Sequence, residues 1–337
     1  MKVLVTGANG FIGRHLARHL QDRGHRVRAL VHRDGAALAG LDVELAYGDV
    51  RDAVAMRSAV DGVGGVVHLA ATRDGWGIEP SVYRTVNVDG TVNLLRAAAE
   101  LGVKRFVYCS SVGVARYPGH LIADETWPLC EPTSQVLYHR TKAQAERMTI
   151  AWAQAGGLPA LAVRPVITYG PGDERGFVTR LVALLQQGQR FCVGSGRNHV
   201  DLVYVDDLVA GIRLALERGM LGRVYILSGV GPIQVRSLID EICGLVGKPA
   251  PAICVPASLG RLAGWGMETL HQTLTRLGIE TDGREPFITR DKVATLTVDR
   301  GFSHARARRE LGYRPQVDYD EGLQRTLAWL QEEGVSQ

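Results

Sequence analysis

Apolar and polar positions along the first half of the chain fall into blocks of two kinds. Short continuous apolar runs, Lys2–Thr6, Arg26–Val31, Val43–Tyr47, Gly65–Ala70, Lys104–Ser110 and Leu158–Val166, read as strands buried on both faces. Between them apolar residues recur at helical spacing: Phe11, Ile12, Leu16 and Leu20 first, then Asp52–Val60, Ser81–Leu101 and about Tyr138–Ala155. Strand and helix in alternation predict βαβ units, hence an α/β fold built on a doubly wound parallel sheet. The regularity loosens after Ile167. Loops lengthen and gain Gly and Pro (Thr168–Gly176, Val230–Pro232, Gly247–Pro256), and helices dominate. The pattern divides the chain into a doubly wound domain over 1–166 and a smaller lobe over 167–337. Val200–Val205 and Val224–Leu227 are expected to return to the first domain as strands.

The first strand ends in Thr6-Gly7-Ala8-Asn9-Gly10-Phe11-Ile12-Gly13, and the first helix begins inside that turn. Strand, glycine turn and helix together bring bare N–H groups and a helix N-terminus up to a pyrophosphate. Gly7 permits the tight turn, Gly10 keeps a Cβ out of the path of the phosphates, and Gly13 lets helix and strand pack closely. The spacing is Gly-x-x-Gly-x-x-Gly rather than the Gly-x-Gly-x-x-Gly of the general dinucleotide fingerprint.

Composition excludes more than it adds. With 337 residues, 46% hydrophobic and 22% charged, the chain is an ordinary globular one. A net charge of +4 gives no ground for a nucleic-acid partner, and the densest basic stretch, Arg306–Arg309, reads as a solvated helix face. No apolar run has the length to cross a bilayer, and Met1 leads straight into the first strand, so neither a span nor a signal peptide is expected. The five cysteines (Cys109, Cys130, Cys192, Cys243, Cys254) form no C-x-x-C pair. That points to a reducing cytoplasm and away from a disulfide framework or structural zinc. His15 and His19 stand four apart without nearby carboxylate or cysteine partners. They read as a solvent-facing pair, and no metal is expected.

Tyr138-His139-Arg140-Thr141-Lys142 sets a phenol and an ammonium on one helix face. Free tyrosine, with a pKa near ~10, is a poor acid–base at neutral pH. A lysine cation beside it favours the phenolate and brings it toward the working range. Ser110 and Ser111 close the fifth strand (VYCSSVGV), at the carboxyl edge where open α/β sheets bind ligands.

Together these motifs resemble the extended short-chain dehydrogenases/reductases, the NAD-dependent epimerase/dehydratase superfamily, over nearly the whole chain. The glycine turn matches the superfamily's TGxxGxxG, and Tyr138 and Lys142 its YxxxK pair. The resemblance implies a Rossmann domain with a C-terminal substrate-binding lobe. It further implies Ser111 as catalytic serine, with Ser110 a structural or cofactor neighbour, Tyr138 as the acid–base, and Lys142 tuning it and holding ribose hydroxyls. It carries over the cofactor contacts of Gly7, Asn9, Gly10, Phe11, Ile12 and Gly13. Asp49, followed by Val50, stands where the family's acidic residue meets the adenine amino group. Leu69, Ala70 and Ala71 match the small-residue turn over the cofactor, Asn87 the asparagine that steadies the central helix and strand, and Pro165 the segment passing the nicotinamide. Val203–Leu208 (VYVDDL) matches a V-x-V-x-D-L signature whose aspartates read as helix caps.

NAD enzymes place an acidic residue at the end of strand two. Val31 stands there, followed by His32 and Arg33. A guanidinium suits a 2′-phosphate, so this reading favours NADP, with NAD possible and Asp34 weighing against.

Nucleotide-sugar epimerases of the superfamily usually carry R-x-x-N-x-Y-G-P and an arginine before the aspartate ahead of V-x-D-L. Ile167 and Val200 occupy those two positions, with Arg197 a possible substitute. RPVITYGPGD, GSGRNHVD and the tail Phe302–Pro315 (FSHARARRELGYRP) look instead like the 3β-hydroxysteroid dehydrogenase branch. That branch includes sterol-4-carboxylate 3-dehydrogenases and bacterial 3-oxoalkanoate reductases. The expectation is hydride transfer at a secondary alcohol or ketone on a bulky apolar small molecule. A nucleotide-sugar epimerase or dehydratase and a non-catalytic cofactor sensor are the alternatives. An apolar lid is expected from Ile253–Leu277, with Trp265 and Met267, and from Asp74–Ile78 around Trp76; packing against the sheet is the competing reading. Related enzymes pair the YxxxK helix and the long helix before it into a homodimer. Val92, Leu94, Leu95, Met148, Ile150 and Trp152 are the apolar residues expected at that interface.

Overall fold

The computed structural model describes residues 1–73, 78–115, 122–130, 136–189, 191–277 and 289–333. In chain order it begins β1 (Lys2–Thr6), α1 (Phe11–Asp22), β2 (Arg26–Val31), β3 (Glu44–Tyr47), α2 (Ala53–Val60) and β4 (Gly65–His68). Next come α3 (Pro80–Arg84), a π turn over Thr85–Asp89, α4 (Gly90–Glu100), β5 (Arg105–Cys109), β6 (Ile122–Ala123), α5 (Leu137–Gln154) and β7 (Ala160–Pro165). The middle of the chain holds β8 (Ile167–Tyr169), α6 (Phe177–Gln186), β9 (Phe191–Val193), β10 (His199–Val200), β11 (Leu202–Tyr204), α7 (Val205–Arg218) and β12 (Val224–Leu227). The last part runs β13 (Ile233–Gln234), α8 (Val235–Val246), β14 (Ile253–Val255), α9 (Ala257–Arg276), α10 (Arg290–Thr297), β15 (Gly301–Phe302), α11 (Ala305–Leu311) and α12 (Tyr319–Glu332).

Seven strands form one parallel sheet in the order β12-β7-β5-β4-β1-β2-β3. Period-two alternation explains why its central strands are apolar throughout. Val3, Val5, Val107, Leu161 and Val163 face a core shared with α1 and α7; Leu4, Val66, Phe106, Tyr108 and Ala162 face one shared with α2, α4 and α5. The chain leaves β1 toward β2 and β3, then returns to β4 on the other side of β1. That reversal opens a crevice between the carboxyl ends of β1 and β4.

Several sequence expectations change. The helix expected over Ser81–Leu101 runs from Pro80 to Glu100, but with a π turn inside it that carries the buried Asn87. Val224–Leu227 joins the large sheet as its edge strand, whereas Leu202–Tyr204 pairs with β8 in a separate two-stranded sheet. Asp206 and Asp207 do not cap their helix. Asp207 accepts from the backbone N–H groups of Gln316 and Val317, and Asp206 pairs with His15. His15 and His19 are half-buried contacts of α1, not solvent-facing: His15 Nε2 meets the Pro171 carbonyl at 2.9 Å, and Arg213 donates to His19. Arg308 and Arg309 are exposed, but Arg306 lies inward against Glu125 and the Val224 carbonyl. Leu94 and Leu95 are core residues, fully buried under the sheet, and offer nothing to a partner chain. Among the described residues no helix is long and apolar enough to cross a membrane.

Candidate active site

The glycine turn leaves β1 with Gly7 at φ +67°, a conformation that L side chains avoid. A Cβ on Gly7 would lie 2.9 Å from the Ala70 nitrogen, and one on Gly13 only 2.1 Å from the Gly7 carbonyl oxygen. Turn, helix and β4 end are packed backbone to backbone. Gly10 enters α1 in an extended conformation with no side-chain cap, and the first turn carries no acidic residue. The leading N–H groups of α1 are therefore left for an anion, which fits a dinucleotide pyrophosphate. Asn9 reaches across to the Asp34 carbonyl at 3.3 Å, and Phe11 lies edge-on to His15. Ile12 packs half-buried against the core. Arg14 donates to the Gly172 carbonyl at 2.5 Å, so the same helix also holds the Gly170–Asp173 loop, a link the sequence did not suggest.

At the far side of the crevice Val31 is buried at the end of β2, while His32 and Arg33 are exposed. Asp49 is bound by Arg51 at 2.5 Å and faces His32 at 3.2 Å; the Arg51 guanidinium holds its carboxyl down to about 2. Arg51 is a third cation at this edge that the sequence reading did not single out. Val50 is buried against Gly90 at the start of α4.

Behind the crevice runs a buried chain of hydrogen bonds. The Ala70 N–H donates to Thr6 Oγ1, which lies 2.7 Å from His68 Nδ1, and His68 Nε2 lies 3.0 Å from Thr91 Oγ1. Thr91 donates to the Asn87 carbonyl. Burial lowers the His68 pKa to about 3, so the ring is neutral. Asn87 clamps Thr72 through both its carbonyl and its N–H and donates to Thr141 on α5 at 3.0 Å. Leu69, Ala70 and Ala71 are thus fixed on one side by Thr6 and beyond their end by Asn87. No motif marked His68 as a member of this chain; its position at the end of an apolar strand was the available signal.

Lys142 is wholly buried. Its ammonium donates to the Cys109 carbonyl at the end of β5 and sits 4.3 Å from the Tyr108 ring centroid. Burial lowers its pKa to about 8. His139 lies against Gly113, where a Cβ would fall 2.3 Å from its Nε2. Lys142 and His139 together press the first turn of α5 onto the Cys109–Gly113 segment. Tyr138 is half-buried on that turn, its ring 5.6 Å from that of His139. Ser111 Oγ accepts from the Gly113 N–H at 3.2 Å, which leaves its own proton free to donate. Ser110 is buried, and its Oγ has no hydrogen-bond partner among the described residues. One turn beyond Lys142, Glu146 forms a buried ion pair with Arg164 at 2.6 and 3.0 Å, next to Pro165 at the end of β7.

Two positions bearing on substrate choice are enclosed. Val200 is a fully buried core residue paired with Ile233, and Ile167 packs half-buried on the same core. The apolar residue at 200 is thus explained by packing and does not face an open cavity; Arg197 is exposed. Helix α9 packs on α10 and β9 rather than on the main sheet, with Trp265 54% exposed and Met267 36%. Of the loop Asp74–Ile78, residues 74–77, Trp76 included, lie outside the described residues.

A doubly wound sheet with a glycine-turn crevice and a Tyr-x-x-x-Lys helix on its carboxyl edge defines a nicotinamide-dependent enzyme of the short-chain dehydrogenase/reductase type. The model of the NAD dependent epimerase/dehydratase family matches residues 3–228, and the chain belongs to that family. It is 35% identical to a 2-alkyl-3-oxoalkanoate reductase of Stenotrophomonas maltophilia, covering 97% of this chain and 99% of the relative. It is 33% identical to a 3 beta-hydroxysteroid dehydrogenase/Delta 5-->4-isomerase of Mycobacterium tuberculosis, covering 97% and 90%. The crystal structure of a protein called gox2253 superposes with a TM-score of 0.82 at 33% identity, over 99% of both chains. Solved nucleotide-sugar epimerases and a dehydratase share the fold as well. The chain is thus an oxidoreductase of the epimerase/dehydratase family with a nicotinamide cofactor.

Proposed function

We propose that this enzyme interconverts a secondary alcohol and a ketone on a bulky, mostly apolar small molecule, a 3β-hydroxysteroid or a 3-oxo/3-hydroxy acid. The observation that supports the chemistry is the seating of α5: Lys142 fastens to the Cys109 carbonyl at the end of β5, and His139 lies against Gly113, two residues past Ser111. In the direction of reduction, Tyr138 gives its phenolic proton to the carbonyl oxygen of the substrate, and Ser111 donates a hydrogen bond to the same oxygen. The Lys142 ammonium, charged below about pH 8, stabilises the phenolate left on Tyr138. Bound nicotinamide supplies the hydride in this direction and accepts it in the other. Gly7, Gly10 and Gly13 admit the pyrophosphate; Asp49, Val50, Leu69–Ala71, Asn87 and Pro165 line the remaining path.

Support for the substrate class comes from the reductase and steroid dehydrogenase relatives and from the half-buried Ile167, which offers no polar atom to a nucleotide diphosphate. His32 and Arg33 at the β2 end support NADP over NAD. A homodimer through α4 and α5 is retained on the half-buried Val92, Met148, Ile150 and Trp152 alone. The experiment is competition and turnover: a steroid or long-chain 3-oxo acid should turn over with NADP, while UDP- and dTDP-sugars should neither bind nor react. Micromolar binding of a nucleotide sugar, with an epimerised or dehydrated product and no net cofactor consumption, overturns the reading.

A further inference from the structure

Cys192 and Cys254 are direct Cα partners in the parallel pair β9–β14, so their side chains leave the same face of the ribbon. Their sulfurs are 3.4 Å apart. A disulfide needs about 2 Å between sulfurs and a Cα separation of roughly 4.4–6.8 Å, which directly paired strands meet. The two thiols differ in access: Cys254 is exposed and Cys192 half-buried, while Cys109 and Cys243 are buried.

We propose that Cys192 and Cys254 form a reversible dithiol–disulfide site on the C-terminal lobe, with Cys254 the thiol that meets a disulfide oxidant and Cys192 the thiol that resolves it. The Cys254 thiolate attacks one sulfur of glutathione disulfide, forming a mixed disulfide and releasing one glutathione. The Cys192 thiolate then attacks Cys254 Sγ, forming the intrachain bond and releasing the second glutathione. The protein gives up two electrons and two protons, and one glutathione disulfide becomes two glutathiones. Burial first, and then the adjoining thiol, raise the Cys192 pKa to about 11, which makes the exposed Cys254 the thiol that reacts first.

The place of the bond gives it a consequence for the lobe. β14 runs through Pro256 into α9, and α9 packs on β9 where a Cβ on Gly260 would fall 2.6 Å from Val193. A cavity of about 280 Å³ lies beside Cys254, bounded by Gly194, Ser195, Asn198, Pro256 and Thr297. Oxidation therefore staples the root of α9 to β9 at the mouth of that cavity.

The test treats the folded, full-length protein with glutathione disulfide, then counts thiols after denaturation and maps peptides by mass. The expected result is loss of two thiols per chain, a Cys192–Cys254 cross-link, and full return of both on adding dithiothreitol. Cys192→Ser should stop at a glutathione adduct on Cys254, and Cys254→Ser should leave Cys192 unmodified. Amide exchange in the first turns of α9 should slow at least twofold in the oxidised protein. Retention of all five thiols, or an adduct on wild-type Cys254 that never yields the cross-link, overturns the proposal.

Discussion

Replacing Lys142 by Met should abolish turnover and make the protein more stable at neutral pH. The ammonium is wholly buried, with one carbonyl and one aromatic face as its listeners, and burial lowers its pKa from 10.5 to about 8. At about 1.36 kcal/mol for each tenfold change in proton affinity, holding the charged form in the native state costs about 3 kcal/mol. Methionine has a similar length, needs no solvation and removes that cost. It also gives up the hydrogen bond to the Cys109 carbonyl and leaves that carbonyl buried, about 1–3 kcal/mol. The net expectation is a gain of up to about 2 kcal/mol at pH 7. Its pH dependence follows from which state binds more protons. Between pH 8 and 10.5 the unfolded lysine is charged while the native one is neutral, so wild-type stability rises with pH through that window. The advantage of the Met variant should be full below about pH 8 and shrink as pH approaches 10.5. Urea unfolding of both proteins without added cofactor, at steps from pH 7 to 10, measures the difference. A Met variant less stable than wild type at pH 7, or a difference that does not change with pH, refutes the reasoning.

Tyr138→Phe should lower kcat at least ~10²-fold with little change in cofactor Kd, the scale of a positioned acid–base group; near wild-type turnover would remove Tyr138 from the mechanism. Gly13→Ala places a Cβ 2.1 Å from the Gly7 carbonyl and should weaken cofactor binding about tenfold or more by displacing the helix N-terminus; unchanged affinity in a fluorescence titration speaks against the pyrophosphate cradle. Arg33→Ala should raise KM for NADP about tenfold, equivalent to ~1.4 kcal/mol, and leave NAD nearly unaffected; an equal loss for both shows that Arg33 does not read the 2′-phosphate. Light scattering at micromolar concentration should give a dimer mass, and a monomer removes the α4–α5 interface.

The sheet and the glycine crevice were legible because both are written in local patterns. Apolar runs of Val, Leu and Ile can only be satisfied between two layers of helices, and Gly7 and Gly13 sit where backbone meets backbone. The π turn was not legible. Its residues, Thr85–Asp89, have the helical spacing of their neighbours, and the turn coincides with Asn87 bonding Thr72 and Thr141, partners far away in sequence. Asp207 misled for a related reason: an aspartate in a first helical turn resembles a cap, but its partners lie more than one hundred residues away in the tail. Val200 illustrates the limit of position-matching. The residue type says that no guanidinium is present, yet only the fold shows that its side chain is enclosed by the core.

The proposed acid is held less by its own motif than by three residues on the same helix that each bind a different neighbour. Thr141 receives the amide of Asn87 from the π turn, Lys142 fastens to the end of β5, and Glu146 pairs with Arg164 on β7. None of these ties lies in one local stretch of sequence, so none is visible as a pattern. Each is buried, and removing one partner leaves a desolvated polar group behind at a cost of about 1–3 kcal/mol. Such ties do little for net stability, because isosteric apolar residues could fill the same space. Their effect is geometric. Three fixed points on three elements define the axis and rotation of α5, and with them the place of Tyr138 relative to Ser111. Since a displacement of about 1 Å at a reacting group can cost 10²-fold in rate, the helix needs that definition more than it needs the energy.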